Sequence, residues 1–152
     1  MVKRLFITSA LILSGCSSSD HETTTKQKLP GDVLSIESIK IEHNGEFSNY
    51  ISSDETPEMC KDFVLNKADV VTFFTTARSA TLREYEHDLT ASNCFASGTF
   101  ISNSGVSGDW KIDRSRRGLL HVQDKVPEYY YCSECKSQLF YEACDVDCAH
   151  GE

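Results

Sequence analysis

Seven cysteines in 152 residues constrain this chain more than any other feature. Cys16 stands apart at the end of an N-terminal apolar run. The other six, Cys60, Cys94, Cys132, Cys135, Cys144 and Cys148, lie in the body of the chain. An even set of six in an exported domain reads first as three disulfides, because that compartment is oxidising. Whether the chain is exported therefore comes before any reading of its fold.

The first residues answer for export. Lys3 and Arg4 lead into an apolar run from Leu5 to Leu13, followed by Ser14, Gly15 and Cys16. A positive start, a short apolar core and a small-residue end are the three parts of a secretory signal. The run is too short to span a bilayer, which takes about 20 residues of helix. A buried core helix that happens to end in cysteine is the plainer alternative, and the basic start and polar sequel fit it less well. The tetrapeptide Leu13-Ser14-Gly15-Cys16 resembles the lipobox of bacterial lipoproteins. That resemblance implies a signal peptide over 1–15, diacylglycerol on the Cys16 thiol, cleavage before Cys16 and fatty acylation, such as palmitate, of the new amino terminus. A lipidated Cys16 takes no part in a disulfide, and several acyl chains make a stable membrane anchor. Serine at position 17, where aspartate would favour inner-membrane retention in enteric-like bacteria, implies an outer-membrane address, facing the periplasm or the surface.

Residues 16–30 follow as the lipidated terminus and a tether. Ser17 to Pro30 contains a single large apolar residue, Leu29, and cannot bury enough surface to offset its ordering entropy. Extended, it reaches roughly 45 Å. The rest, 31–152, has the size of one domain, in the range where disulfides add useful stability. The formal charge of −8 becomes more negative once Lys3 and Arg4 leave with the signal. That sign excludes a nucleic-acid partner, whose phosphates need a basic footprint, and favours encounter with cationic partners.

Within the domain, Val33 to Glu42 is rich in β-branched residues and predicts a strand. Asn44-Gly45 predicts the turn that ends it, with Glu46 to Ser52 as hairpin partner. Cys60 to Leu65 reads as another short strand. Asn66 suits a helix cap before Lys67, and Val70, Phe73, Phe74 and Ala77 recur at helical spacing. Leu82, Tyr85 and Leu89 extend that face if the helix passes Ser79, so one helix or two short ones fit. Phe95 to Ser102, Asp109 to Asp113, Leu119 to Val122 and Glu128 to Cys132 read as strands. Turns fall at Asn103-Ser104-Gly105 and Arg114 to Gly118. Short strands with tight connections predict an antiparallel β-meander with helix packed on one face, a disulfide-stabilised α+β fold.

Cys60 with Cys94 is the preferred pairing, bracketing the helix and closing a loop of about 34 residues for some 3–4 kcal/mol. The four C-terminal cysteines then pair among themselves, for instance Cys132–Cys148 around Cys135–Cys144. The same four thiolates are the alternative ligand set for zinc, although their central spacing of eight residues is short for a ribbon site. A redox-active Cys132-Ser133-Glu134-Cys135 is the third reading, with no helix evident after Cys132 to activate a thiol.

Catalytic motifs are not evident. His87 lies among Glu84, Glu86 and Asp88, seven residues before Cys94, but a Cys–His pair competes with the disulfide that better explains Cys94. Gly105-Val106-Ser107-Gly108 falls short of a nucleophile elbow because Asp109 stands where glycine is needed. Asp145 and Asp147 are too few to specify a cation. Trp110 is expected in the core. Arg114, Arg116 and Arg117 are expected to be solvated in a hairpin turn. The composite expectation is a lipid-anchored envelope lipoprotein acting as a non-enzymatic interaction or inhibitor module, without a cofactor. Its anchor is the membrane, and its partner is a cationic envelope or extracellular protein. As a type of role this is similar to envelope inhibitors of cationic lysozymes, without shared motif residues. The alternatives are a zinc-binding module or a thiol-disulfide oxidoreductase.

Overall fold

The computed structural model describes residues 36–141; the signal, the tether, Val33 to Ser35, and the stretch with Cys144, Asp145, Asp147 and Cys148 lie outside them. In chain order the elements are β1 (Ile36–Phe47), α1 (Pro57–Cys60), α2 (Lys67–Thr76), β2 (Arg78–Ala80), a π-helical turn α3 (Glu84–Asp88), β3 (Cys94–Ser102), β4 (Ser107–Asp113), β5 (Arg117–Val122) and β6 (Glu128–Tyr131). The strands form one antiparallel sheet in the order β1-β3-β4-β5-β6-β2. Strands β3 to β6 are the expected meander, and the α+β class holds. Among the described residues no helix is long and apolar enough to cross a membrane.

Helix α2 begins where its local chemistry dictates. The Asn66 side chain accepts from the Ala68 and Asp69 amides at 2.8 and 3.1 Å, while Asp69 accepts from the Asn66 amide at 2.8 Å. That reciprocal capping box satisfies donors that a helix start leaves orphaned. The helix then buries Val70, Phe73 and Phe74 against one sheet face. There Phe74 meets the Tyr130 ring edge-on at 5.5 Å, and Trp110, Ile112 and Leu120 complete the layer. The helix stops at Thr76 instead of passing Ser79. Arg78 to Ala80 leave it to pair with Tyr131 to Tyr129 as an edge strand, so Leu82 ends exposed. Sheet pairing, a long-range term, overrides the helical spacing there.

Two expected elements are corrected. Asn44-Gly45 makes no hairpin: β1 runs through it and pairs with β3 from Ile36 to Phe47, with irregularities that include the step from His43 to Glu46. Gly45, at φ +62°, supplies a left-handed kink in the strand instead of a reversal. The Asn44 amide is spent elsewhere, donating to the Leu65 carbonyl at 2.8 Å and accepting from the Leu65 N–H at 2.9 Å. Cys60 to Leu65 is no strand. It is the end of α1 and a connecting loop whose Phe63 and Leu65 fill the core, held by Asn44 in place of a ladder.

Trp110 is buried, and Gly98 explains how its indole is satisfied. A Cβ on Gly98 would sit 2.0 Å from the Lys40 carbonyl. Without one, Trp110 Nε1 donates to the carbonyls of Lys40 and Thr99 at 3.3 and 3.2 Å. A buried indole left unpaired would be costly. Gly98→Ala should therefore destabilise the domain by about 3 kcal/mol in urea titration, at the upper end for overpacking. Gly105→Ala, at φ +78° but in open space, should cost only about 1 kcal/mol. Equal costs would show that β1 does not depend on that close approach.

Candidate functional site

The hairpin turn between β4 and β5 carries a dense set of side-chain hydrogen bonds. Alternation in β4 puts Trp110 and Ile112 on the helix-covered face and Asp109, Lys111 and Asp113 on the opposite one. The sheet's outer end is covered by α3, so Asp113 is buried although it faces away from the core. Its Oδ2 accepts from Arg117 Nε at 2.7 Å and its Oδ1 from the Arg117 amide at 3.1 Å. Arg117, only 5% exposed, also donates to the Tyr85 carbonyl and lies 4.5 Å over the Tyr85 ring. Burial pushes the Asp113 carboxyl up, against the downward pull of Arg117. Burial likewise pushes the Tyr85 phenol up to about 12, with the Asp113 charge adding to it.

The expectation of solvated arginines is thereby corrected. Arg116, 4% exposed and at φ +68°, donates through Nη1 to the Ser133 carbonyl at 3.1 Å and through Nε and Nη2 to the Tyr141 carbonyl. Arg114 lies half-buried, stacked 4.8 Å over the Tyr141 ring and donating to the Met59 carbonyl. Arg116 and Arg117 are buried because carbonyls from distant segments converge on them, which no local pattern in the turn reveals.

Beside this junction Glu55 gathers the connecting loop and the chain after β6. Its oxygens accept from the Ser92 hydroxyl, the Asn93 amide at 2.6 Å and the Tyr141 hydroxyl at 2.8 Å. Burial pushes this carboxyl up, but the bonds from Ser92, Asn93, Tyr141 and Ser53 outweigh it and hold Glu55 below its ordinary value. Both clusters spend their charged groups on bonds within the domain and act as braces, although Arg114 Nε and Ser115 Oγ are buried without a hydrogen-bond partner.

Among the described residues a groove of about 440 Å³ opens across β3, β4 and β5, lined by Thr99, Ile101, Ser107, Asp109, His121 and Gln123. Thr99, Asp109 and His121 lie opposite one another in one row of the sheet, and Ile101 lies opposite Ser107 in the next. The groove offers one carboxylate, an imidazole, hydroxyls, an amide and an aliphatic patch. His121 Nδ1 is 4.0 Å from the Asp109 carboxylate, beyond hydrogen-bond reach, and Asp109 is 71% exposed. A hydroxyl nucleophile needs a base within hydrogen-bond reach that is itself held in place, and this solvated pair does not supply it. The groove's residues escaped the sequence reading because they come from three strands, although the alternation around Trp110 does show which side Asp109 faces.

Of the expected disulfides, Cys60–Cys94 is formed. The nested C-terminal arrangement is corrected: Cys132 pairs with Cys135. The chain turns sharply after β6, with the Cys132 N–H held by the Arg116 carbonyl at 3.0 Å, which brings the two together. Cys132 is buried in the core cluster, while Cys135 is half-buried against it. An external thiolate reaching Cys135 would expel Cys132 as an unsolvated anion in apolar surroundings, which disfavours exchange. Among the described residues no three His, Cys, Asp or Glu side chains gather as a metal site, while Cys144 and Cys148 lie outside them. His87 is a surface residue, and Cys94 is committed to its disulfide. Comparison with protein-family models, with curated proteins and with solved structures found no match.

Two outcomes test the braces. Asp113→Ala strands a buried guanidinium and should cost about 3–5 kcal/mol, and Asp113→Ala with Arg117→Met should recover much of it in thermal melts. Failure of the double variant to recover would show that the ion pair is not what matters there. Because Glu55 titrates lower in the folded state, its contribution is present above its ordinary 4.5 and is lost as pH falls below that value. Glu55→Gln should therefore flatten the acid limb of the stability–pH curve below about pH 4.5.

Proposed function

We propose that this chain is a lipid-anchored outer-membrane lipoprotein whose single domain is a non-enzymatic interaction or inhibitor module. Its binding surface is the β3–β4–β5 groove, and its partner is a cationic segment of an envelope or extracellular protein. The observation that carries the reading is the groove itself. It is an open, mixed polar and aliphatic surface on three consecutive hydrogen-bonded strands, with Asp109 presented to solvent. A surface on strands is more precisely held than one on loops, and a rigid site loses less entropy on binding. The chain's net charge of −8 adds long-range steering toward a basic partner. Lipid on Cys16 would fix the place of encounter.

A thiol-disulfide oxidoreductase has the Cys132–Cys135 pair in its favour and the burial of Cys132 against it. A zinc module on Cys132, Cys135, Cys144 and Cys148 would need that disulfide reduced.

Lysozyme is a practical first probe. Titration by calorimetry should show binding that weakens about tenfold or more when salt rises from about 50 to 300 mM. Asp109→Asn should reduce the affinity at low salt without changing the melting temperature. Salt-insensitive binding, or no binding to lysozyme or any other cationic envelope hydrolase, contradicts the proposal. Cys16→Ala should move the protein from the membrane fraction to the soluble fraction, and retention in the membrane would contradict the lipid anchor.

A further inference from the structure

Strand β1 lies at one end of the sheet order, with β3 on one side and no strand on the other among the described residues. An edge strand presents unpaired N–H and C=O groups, a template for another strand, and proteins blunt such edges with charges and bulges. Here the edge carries exposed Glu37, Ser38, Lys40, Glu42 and His43, with register irregularities at Ile36/Ser38 and Ile41/His43. Those charges reject strands in general. They also specify which strand they would accept.

We propose that β1 pairs antiparallel with β1 of a second copy of this chain, about a two-fold axis at Ile41, joining two sheets into one. The argument is charge register. A two-fold perpendicular to the sheet leaves each residue on its own face, so the axis passes through a residue pair and each residue meets one of equal parity. Centred on Lys40, the pairing sets ammonium against ammonium. Centred on Glu42, it sets carboxylate against carboxylate. Centred on Ile41, it places Lys40 opposite Glu42 of the second copy and Glu42 opposite its Lys40. Within one chain these two side chains already share a face, with Nζ and Oε1 2.8 Å apart. The dimer therefore closes a ring of four alternating charges on that face, with Ile41 opposite Ile41 on the other. Opposite charges directly across antiparallel strands stabilise the pairing, and like charges oppose it.

The inference is independent of the binding role proposed above. The axis keeps the two groove-bearing faces on the same side of the joined sheet, so one dimer presents two grooves. Edge pairing buries little area, so the association is weak in solution and is favoured where lipid concentrates the chains on a surface.

Sedimentation velocity of the full-length lipidated protein in mild detergent tests it, at protein concentrations up to about 0.1 mM. Reversible dimers are expected. Lys40→Glu and Glu42→Lys should each weaken dimerisation by about tenfold, because each turns both cross-pairs repulsive. The double swap, Lys40→Glu with Glu42→Lys, should restore it. Both residues are exposed, so far-ultraviolet circular dichroism should show all variants folded. Monomers throughout that range, dimers insensitive to either single swap, or no restoration in the double variant would each overturn the proposal.

Discussion

The Asp113–Arg117 pair is the interaction on which the rest of this structure depends. A carboxylate and a guanidinium taken out of water are expensive unless each is bonded in several directions. Here both are: Asp113 also accepts from the Ser92 amide, and Arg117 reaches the Tyr85 carbonyl. Satisfying the pair thus fixes the start of β3, the position of α3 and the geometry of the β4–β5 turn together. Arg114 and Arg116 extend the same constraint to α1 and to the chain after β6. The cluster does for the outer end of the sheet what apolar packing under α2 does for the inner face. Breaking it strands several polar groups at once, which makes that end cooperative.

The disulfides add covalent ties at the same end of the sheet. Cys60–Cys94 joins α1 to the first residue of β3, next to the Glu55 cluster that ties the same loop to Asn93. Cys132–Cys135 closes the turn after β6, where Arg116 also holds Ser133. Ionic and covalent restraints converge on one end of the sheet, and the groove opens at the opposite end of the same strands. The strands under the groove are thus held from their far ends by groups outside its lining.

What was legible in the sequence was legible locally. Asn66, Asp69 and the Phe73/Phe74 spacing lie within a few turns of one helix, so the start of α2 follows from nearest neighbours. Short strands with turn residues between them gave the meander for the same reason. Cys60–Cys94 was readable because bracketing a helix is a simple geometric demand. Asn44-Gly45 carried a turn signal as strong as a dipeptide can, yet pairing with a strand some fifty residues away decided its conformation. The three arginines misled in the same way. Three cations in a turn look solvated until carbonyls from Met59, Tyr85, Ser133 and Tyr141 arrive to receive them. The groove needs three strands in register, and one strand's alternation shows only which side Asp109 faces.

Disulfide mapping of the native lipidated protein, by proteolysis without reduction and mass spectrometry, tests most directly whether this is an oxidised, exported binding domain. Peptides linking Cys60 to Cys94 and Cys132 to Cys135 are expected. Cys144 should then be found with Cys148, and Cys16 should carry diacylglycerol. Four free C-terminal thiols recovered with one zinc ion, or an unmodified Cys16 in the intact chain, would contradict it and move attention from the groove to the C-terminal cysteines.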